Sequence, residues 1–586
     1  MRWSVVIATW QRAALLRSTL DSLHGQSFKD FEVVVVSDGD DAPTRSLAES
    51  YRSPFPLRWF QHLENRGGFA ITRNSGASVA EGDLLLFLDD DTIASPDLLA
   101  NHDRVHAASS QWPGCVVFGR TIEERRVPLV SRTDAFMQAA WERALGSCQP
   151  SEGFPDLGSV GEKAEAAVYC GFNCSLPRAL FLDVGGFDAR LRSDEEMELG
   201  WRLYRRGLLF HYARDAIVRH QDTKVMHTYF ARCWHASGSQ DVYRVTEKGQ
   251  RSTQLMELAK LRHGSPSTRM YTSLAERYPG QLLAVASALE KLTDVTGSRI
   301  SFALWARLRR TAEYWNGVRK SGATTRELFQ LAGPRTPILA FHSVSPPRSP
   351  NEAPYCTSPA RFRQFLAWLR RLGRVPVAPG RWLDGHLPEK RVLLTFDDAY
   401  GDFYTQVLPA IAGSGIVPLV FVVVNHIGKT SEWADGRGLA ARPLMTLGQM
   451  RELQKHGVVF GAHSLTHSSL PTLSDDELRR QVGESKRKLE DLLGAGVDWF
   501  AYPYGEVDRR VRSAVVEAGY KAAVTTEPGL NGWQDPLALK RLEIGEVDTP
   551  LDFALKVELG WSPLQSLRGR LRRLLAGSRP TLPLSP

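Results

Sequence analysis

RVLLTFDD, residues 391–398, is a short apolar run that ends in two carboxylates. A run of this length, rich in branched residues and closed by charge, is the pattern of a strand covered on both faces in a parallel α/β sheet. The same pattern recurs around it. PILAFH (337–342), LVFVVV (419–424), VVFGAHS (458–464) and DWFAYPYG (498–505) read as strands, and SPARFRQFLAWLRRLG (358–373) and SDDELRRQVGESKRKLEDLLG (474–494) as helices. Ser474 with Glu477 reads as a capping box opening the second helix. In such folds functional groups gather at the C-terminal ends of strands. Here four ends supply His342, the Asp397–Asp398 pair, His463 with His467, and the turn Tyr502–Pro503–Tyr504–Gly505.

That set suggests a chemistry. Two imidazoles and one carboxylate make a facial site with open positions, suited to Zn2+ or another divalent ion. Such an ion polarises a carbonyl and acidifies a bound water, and a second carboxylate can serve as general base. Adjacent aspartates on a strand point to opposite sides, so Asp397 and Asp398 are expected to differ in role. The turn after DWFA can offer a backbone N–H to an oxyanion.

LLTFDDAYGDFY, GAHSLTHSSL, QVGESKRKLEDLLG, FAYPYG and EAGYKAAVT together resemble the polysaccharide deacetylases of the NodB-homology group, across about residues 335–550. The resemblance implies a distorted (β/α) barrel that removes N-acetyl groups from amino sugars. It makes Asp397 the general base, Asp398, His463 and His467 the metal ligands, and Tyr504 the donor of an oxyanion N–H. The sequence departs from the family's pattern in three places. Ala399 follows the Asp pair where many members have Gly. FAYPYG lacks the arginine motif that orients the base. LEI (542–544) has Ile544 where many members carry the acid histidine. AFHSV (340–344) resembles an early motif of one sub-branch and nominates His342 as the acid.

The N-terminal third carries a second alternation. SVVIAT (4–9), FEVVVVSD (31–38) and DLLLFLDDD (83–91) read as strands, and AALLRSTLDSLH (13–24) and FAITRNSGASVA (69–80) as amphipathic helices. LLFLDDDTIASPD sets Asp89, Asp90 and Asp91 at one strand end. Three clustered carboxylates repel unless a cation or solvent lies among them, and Mg2+ or Mn2+ on a diphosphate is the usual reason. Asp38 closes another strand, where it can bind a base or ribose. Thr9 and Arg12 follow the first, and NRGGFAITRNSG brings glycines and Arg73 toward phosphates. Glu195 and Glu196 stand just before an amphipathic helix, where a carboxylate can deprotonate an acceptor hydroxyl. His220 in DAIVRHQ is a candidate third ligand.

This order of motifs resembles the family 2 glycosyltransferases of the GT-A fold, across about residues 1–245. The resemblance implies inverting transfer from a nucleotide-diphosphate sugar. Asp38 would bind the nucleoside, Asp89 and Asp91 the metal, with Asp91 the direct ligand, and Glu196 would be the base. Glutamate stands where the family has aspartate, one methylene longer at a geometry-sensitive position.

The whole chain of 586 residues is 43% hydrophobic and 24% charged, with a net charge of +8. These are ordinary values for a globular protein of several domains. The fold class is α/β: a GT-A, Rossmann-like domain over 1–249, a helical connector over 250–332, the deacetylase-type barrel over 333–560 and a basic tail over 561–586. LMELAKLRH, LLAVASALEKLTD and ISFALWARLRRTAEYW make the connector helical and are expected to pack on the first domain. Six irregularly spaced cysteines fit a reducing compartment, and Cys170 and Cys174 read as packing residues. MRWSVVIATWQR reads as a first strand and not a signal peptide, and no apolar run reaches membrane-spanning length. The expected location is the cytoplasm, with peripheral contact at the inner face of the membrane through the basic SLRGRLRRLLAGSR (566–579). The expected partners are a nucleotide-diphospho sugar donor and a glycan or lipid-linked saccharide acceptor. Dispersed charge argues against nucleic acid. Three rivals stand beside a bifunctional enzyme: a first domain that binds nucleotide sugar without turnover, an amide hydrolase acting on a non-sugar, and a scaffold in which both sites are relics.

Overall fold

The structure is a computed structural model. It describes residues 2–65, 68–109, 114–148, 173–191, 195–222, 225–246, 273–322, 336–383, 390–437, 439–531 and 535–565. Cys170, the stretch LMELAKLRH and the basic cluster of the tail lie outside the described residues. The chain forms two compact units, Met1–Leu331 and Ala332–Pro586.

The first unit holds a mixed sheet of β1 (Trp3–Thr9), β2 (Phe31–Ser37), β3 (Leu57–Gln61), β4 (Leu84–Asp89), β5 (Thr92–Ala94), β6 (Cys115–Arg125), β7 (Cys174–Pro177) and β8 (Leu209–Asp222). Its order is β3-β2-β1-β4-β7-β6-β8-β5. β3, β2, β1 and β4 run parallel, and β7 runs antiparallel between β4 and β6. β1 and β2 are buried along their whole length and β4 as far as Leu88, which is why their sequences are unbroken apolar runs. The short β5 lays Thr92 opposite His220 of β8. That pairing brings a residue 128 positions downstream to the end of β4.

A directed chain of hydrogen bonds crosses this core. Cys115 Sγ lies 3.3 Å from His106 Nδ1, and His106 Nε2 lies 2.8 Å from Ser175 Oγ. Ser175 Oγ is 2.8 Å from His102 Nδ1, and His102 Nε2 is 2.9 Å from Asn173 Oδ1. Asn173 Nδ2 donates to Ala216 O, which fixes its oxygen toward the ring. The chain closes with one proton per link only if both imidazoles are neutral. Burial acts in the same sense, lowering His102 to about 4 and His106 to about 3.

After β8 come the helices Met226–Thr246, Pro279–Thr296 and Arg299–Lys320. The first and third touch backbone to backbone. A Cβ on Gly238 would run into Tyr314 O, and one on Gly317 into His235 O. Tyr314 Oη donates to buried Asp241 at 2.9 Å beside that crossing. Trp305 packs with Met137, Met226 and Ala286. The helices between 273 and 322 therefore fold as part of the first unit.

The second unit is a curled parallel sheet of β9 (Ile338–Phe341), β10 (Val375–Pro376), β11 (Arg391–Phe396), β12 (Leu419–Val422), β13 (Val459–Ala462), β14 (Trp499–Ala501), β15 (Ala522–Val524) and β16 (Leu542–Glu543). The order is β15-β14-β13-β12-β11-β9-β16, with β10 beside β11, and every pair is parallel. Helices Pro359–Arg371 and Pro550–Leu559 join through Phe365 and Phe553, stacked at 4.5 Å. Helix Asp475–Leu493 opens on half a capping box. Ser474 Oγ accepts from Glu477 N at 3.4 Å, but the Glu477 carboxylate turns to Arg480 and Gln481. The exposed guanidinium offers the glutamate a charged partner that the N-cap amide does not.

Candidate active sites

In the second unit the candidate residues Asp397 and His463 stand just past their strands and keep one rung of the sheet. Asp397 N donates to Phe341 O at 2.9 Å, and His463 N donates to Val422 O at 2.8 Å. Asp398, Ala399, Ser464, His467 and Tyr504 all have φ between 55° and 68°. Left-handed backbone at non-glycine positions is strained, and five such residues crowd one rim. Gly505, at φ +71°, completes the turn; a Cβ there would run into the Thr526 hydroxyl.

The two aspartates diverge by backbone turning, not by strand alternation. β11 stops at Phe396, and the positive φ of Asp398 swings the second carboxylate away from the first. Asp398 Oδ1 lies 3.7 Å from His463 Nε2 and 3.4 Å from His467 Nε2. This oxygen is buried and makes no hydrogen bond. His463 Nδ1 lies 2.7 Å from Ala501 O, which can only accept, so Nε2 carries the lone pair. Burial holds His467 well below the ordinary histidine range. An orphaned carboxylate oxygen facing two imidazole nitrogens fits a divalent cation by donor type and by placement. Trp433 stacks on His467 at 4.9 Å, and Tyr504 meets its edge at 4.5 Å, fixing the ring.

Asp397 has a partner that the sequence reading missed. Arg541 Nη1 donates to Oδ1 at 2.6 Å and Nη2 to Oδ2 at 2.7 Å. Burial alone would raise this carboxyl, but the guanidinium outweighs it and holds Asp397 well below the usual carboxylate range. The orienting arginine absent from FAYPYG thus arrives from the residue before β16, across β9. Its signal lay in KRLEI, one residue before the leucine of LEI. His342 Nε2 stands 3.9 Å from Asp397 Oδ2, with the Tyr355 ring edge-on at 5.4 Å. Ile544 is buried and bonded to β9 through its backbone. A pocket beside His342 is lined by Ser343, Tyr355, Tyr400 and Arg442.

In the first unit, Asp89, Asp91 and His220 bring ligand atoms within 4.8 Å of one another. His220 Nε2 faces Asp91 Oδ1 at 3.2 Å, and its Nδ1 lies 2.8 Å from Glu123 Oε2. Burial opposes charge on this ring, yet the carboxylates of Asp91 and Glu123 raise it to about 10. Two carboxylates and an imidazole oriented by a further carboxylate are a donor set that Mg2+ or Mn2+ accepts once the ring gives up its Nε2 proton to the ion. Glu123, on β6, was not foreseen, because only the β6–β8 pairing brings it near.

The remaining candidates take structural partners. Asp90 turns inward, accepting from Thr9 Oγ1 at 2.7 Å and Arg12 Nη1 at 2.8 Å, while Arg12 Nη2 also pairs with Asp91. Burial raises Asp90 to about 7. Thr9 and Arg12 thus brace the acidic loop instead of reaching out to a ligand. Arg73, read as facing phosphates, is buried and bridges Asp89 at 2.8 Å and Glu196 at 3.0 Å. Glu195 and Glu196 form the first turn of helix Glu195–Arg205 and do not precede it. Asp38 is buried against His62, 3.3 Å away, on the far side of β1 from β4.

Comparison with known proteins agrees with this division. Residues 4–183 match the model of glycosyl transferase family 2, and residues 384–523 match that of polysaccharide deacetylases. The chain is 26% identical over 200 residues to the putative polysaccharide deacetylase YxkH of Bacillus subtilis, covering 33% of this chain and 66% of that protein. It is 28% identical over 256 residues to the uncharacterized glycosyltransferase YfnE of the same organism, covering 38% and 65%. It is 31% identical over 227 residues to validoxylamine A glucosyltransferase of Streptomyces hygroscopicus, covering 36% and 54%. The chain thus spans less than two thirds of these relatives.

Proposed function

We propose that this chain, which joins a glycosyl transferase family 2 domain to a polysaccharide deacetylase domain, both transfers a sugar and removes acetyl groups from an amino sugar. The observation that carries the hydrolytic half is the pairing of two carboxylates in opposite states. Asp398 presents an orphaned oxygen to two imidazoles, and Asp397 beside it is locked ionised by Arg541.

Asp398, His463 and His467 would hold a divalent cation such as Zn2+. When bound, it would polarise the amide carbonyl and acidify the attacking water. Asp397 takes the proton from that water, and Arg541 keeps both its oxygens in register for the transfer. The Tyr504 N–H donates to the developing oxyanion, and His342 gives a proton to the leaving amine. Trp433 and Tyr504 wall the His467 side against water.

In the first unit, Asp89, Asp91 and His220 would hold Mg2+ or Mn2+, which would neutralise charge on a departing diphosphate. Glu196 accepts the proton of the acceptor hydroxyl, and inversion at the sugar follows from attack opposite the leaving group. Asp38 lines the nucleoside end. The acceptor is a glycan or lipid-linked saccharide, on the cytoplasmic side. A second reading keeps the deacetylase and makes the first site a nucleotide-sugar binder. The Arg73–Glu196 ion pair favours it, because it occupies the proposed base.

The deciding experiment measures acetate release from N-acetylglucosamine oligomers after chelation and metal addition, with Asp397→Asn and His463→Ala alongside. Metal-restored release, lost in both variants, sustains the reading; wild-type release that is indifferent to chelation and metal overturns it.

A further inference from the structure

The helical hairpin of the first unit carries an apolar strip that, among the described residues, no element covers. On helix Pro279–Thr296 the strip is Val285, Ala288, Leu292 and Val295, all exposed. Spacings of three, four and three put them on one face, about 15 Å long at 1.5 Å per residue. The next helix continues the strip with Ile300 and Leu304. Val295 and Ile300 are 78% and 75% exposed, extreme values for branched aliphatics. A third element joins them. Arg132 Nη1 donates to Val295 O at 2.9 Å and Thr133 N to Asp294 Oδ1 at 2.8 Å, which seats exposed Leu129 and Val130 beside the hairpin turn.

Charge around the strip has one sign. Arg126, Lys291 and Arg299 are exposed, and none is ion-paired with a described carboxylate. The two acids of helix Pro279–Thr296 face away. Glu290 accepts from Trp305 Nε1 at 3.2 Å, and Asp294 caps Thr133. An apolar face wider than scattered surface residues, flanked by exposed cations and with its nearest acid, Asp294, spent on the Thr133 amide, is the pattern of a segment lying in a bilayer interface.

We propose that the strip formed by Leu129, Val130, Val285, Leu292, Val295, Ile300 and Leu304 docks the chain on an anionic lipid surface, with Arg126, Lys291 and Arg299 engaging headgroups. Aliphatic tips enter the acyl boundary, and the basic rim gains from the surface potential. A chain seated there would meet the lipid-linked acceptor proposed above. Vesicle binding is read without turnover, so it can fail while the reading of the active sites stands.

The test is co-sedimentation of the full chain with vesicles of phosphatidylglycerol and phosphatidylcholine against vesicles of phosphatidylcholine alone. Val295→Glu with Ile300→Glu, and separately Lys291→Glu with Arg299→Glu, are compared with wild type. The expected result is selective binding to anionic vesicles, weakened about tenfold or more by either pair, with unchanged thermal midpoints. Three results overturn it: no binding by wild type, binding that both pairs leave intact and that removal of residues 566–586 abolishes, or light scattering showing a dimer that Val295→Glu with Ile300→Glu splits.

Discussion

Arg541 grips both carboxylate oxygens of Asp397, at 2.6 and 2.7 Å, although 144 residues separate them. The guanidinium also donates to Thr395 and to the Thr525 carbonyl, so its plane is fixed independently of the aspartate. Lysine would keep the charge and lose the fork. Arg541→Lys is therefore expected to lower kcat for acetate release about tenfold to hundredfold, with KM nearly constant. Arg541→Met would leave a buried charge unpaired and destabilise the unit by about 3–5 kcal/mol, read by denaturant unfolding.

Asp398→Asn removes the charge from the oxygen that faces both imidazoles. Affinity for Zn2+ or Co2+ is expected to fall at least about 100-fold. Calorimetric titration of the chelated protein checks this without any substrate, and unchanged affinity would displace the site from these residues.

Glu196→Gln is expected to cost about 100-fold or more in sugar transfer, while binding of a nucleotide-diphospho sugar persists. Arg73 would keep Asp89 in place in that variant. Equal transfer by wild type and variant would remove Glu196 from the role of base; no transfer by either, with donor still bound, would favour the binding-only reading.

The histidine chain of the first unit sets a pH window. Both rings are neutral in the folded protein, at about 4 for His102 and about 3 for His106, against an ordinary value of 6.5. Below 6.5 the unfolded chain takes up two protons that the folded unit refuses. The contribution to stability is therefore complete above about pH 6.5 and declines toward about pH 4, by up to about 1.4 kcal/mol per pH unit for each ring. Denaturant unfolding at stepped pH should show that slope, and His106→Gln should halve it.

Both units were legible where the chain is apolar on two faces. β1, β2, β4, β9, β11, β12, β13 and β14 stand where the runs of Val, Leu and Phe placed them. β3 and β8 were harder, since an edge strand and a long strand with polar stretches carry mixed sequences. Asp397, Asp398 and His463 stood out because each follows such a run, and His467 because it lies four residues past His463. Glu123 did not, because only the β6–β8 pairing brings it to His220, and Arg541 was passed over in KRLEI because its partner stands across β9. Thr9, Arg12 and Arg73 show the converse. Sequence marks Thr9 and Arg12 as polar groups at a strand end and Arg73 as a cation beside glycines, but only the fold reveals that carboxylates already claim them.

The crossing at Gly238 and Gly317 bears on where this polypeptide can be cut. Carbonyl oxygens of one helix occupy the space that a side chain of the other would need, so the two seal directly against each other. A fragment ending at residue 249 would keep Gly238 and discard its counterpart, baring the Tyr314-facing surface and the aromatic cluster around Trp234. A fragment ending at 331 would keep both. The smallest piece able to stand alone is thus longer than the part proposed to carry sugar transfer, and its last helices serve as the wall that makes it self-sufficient.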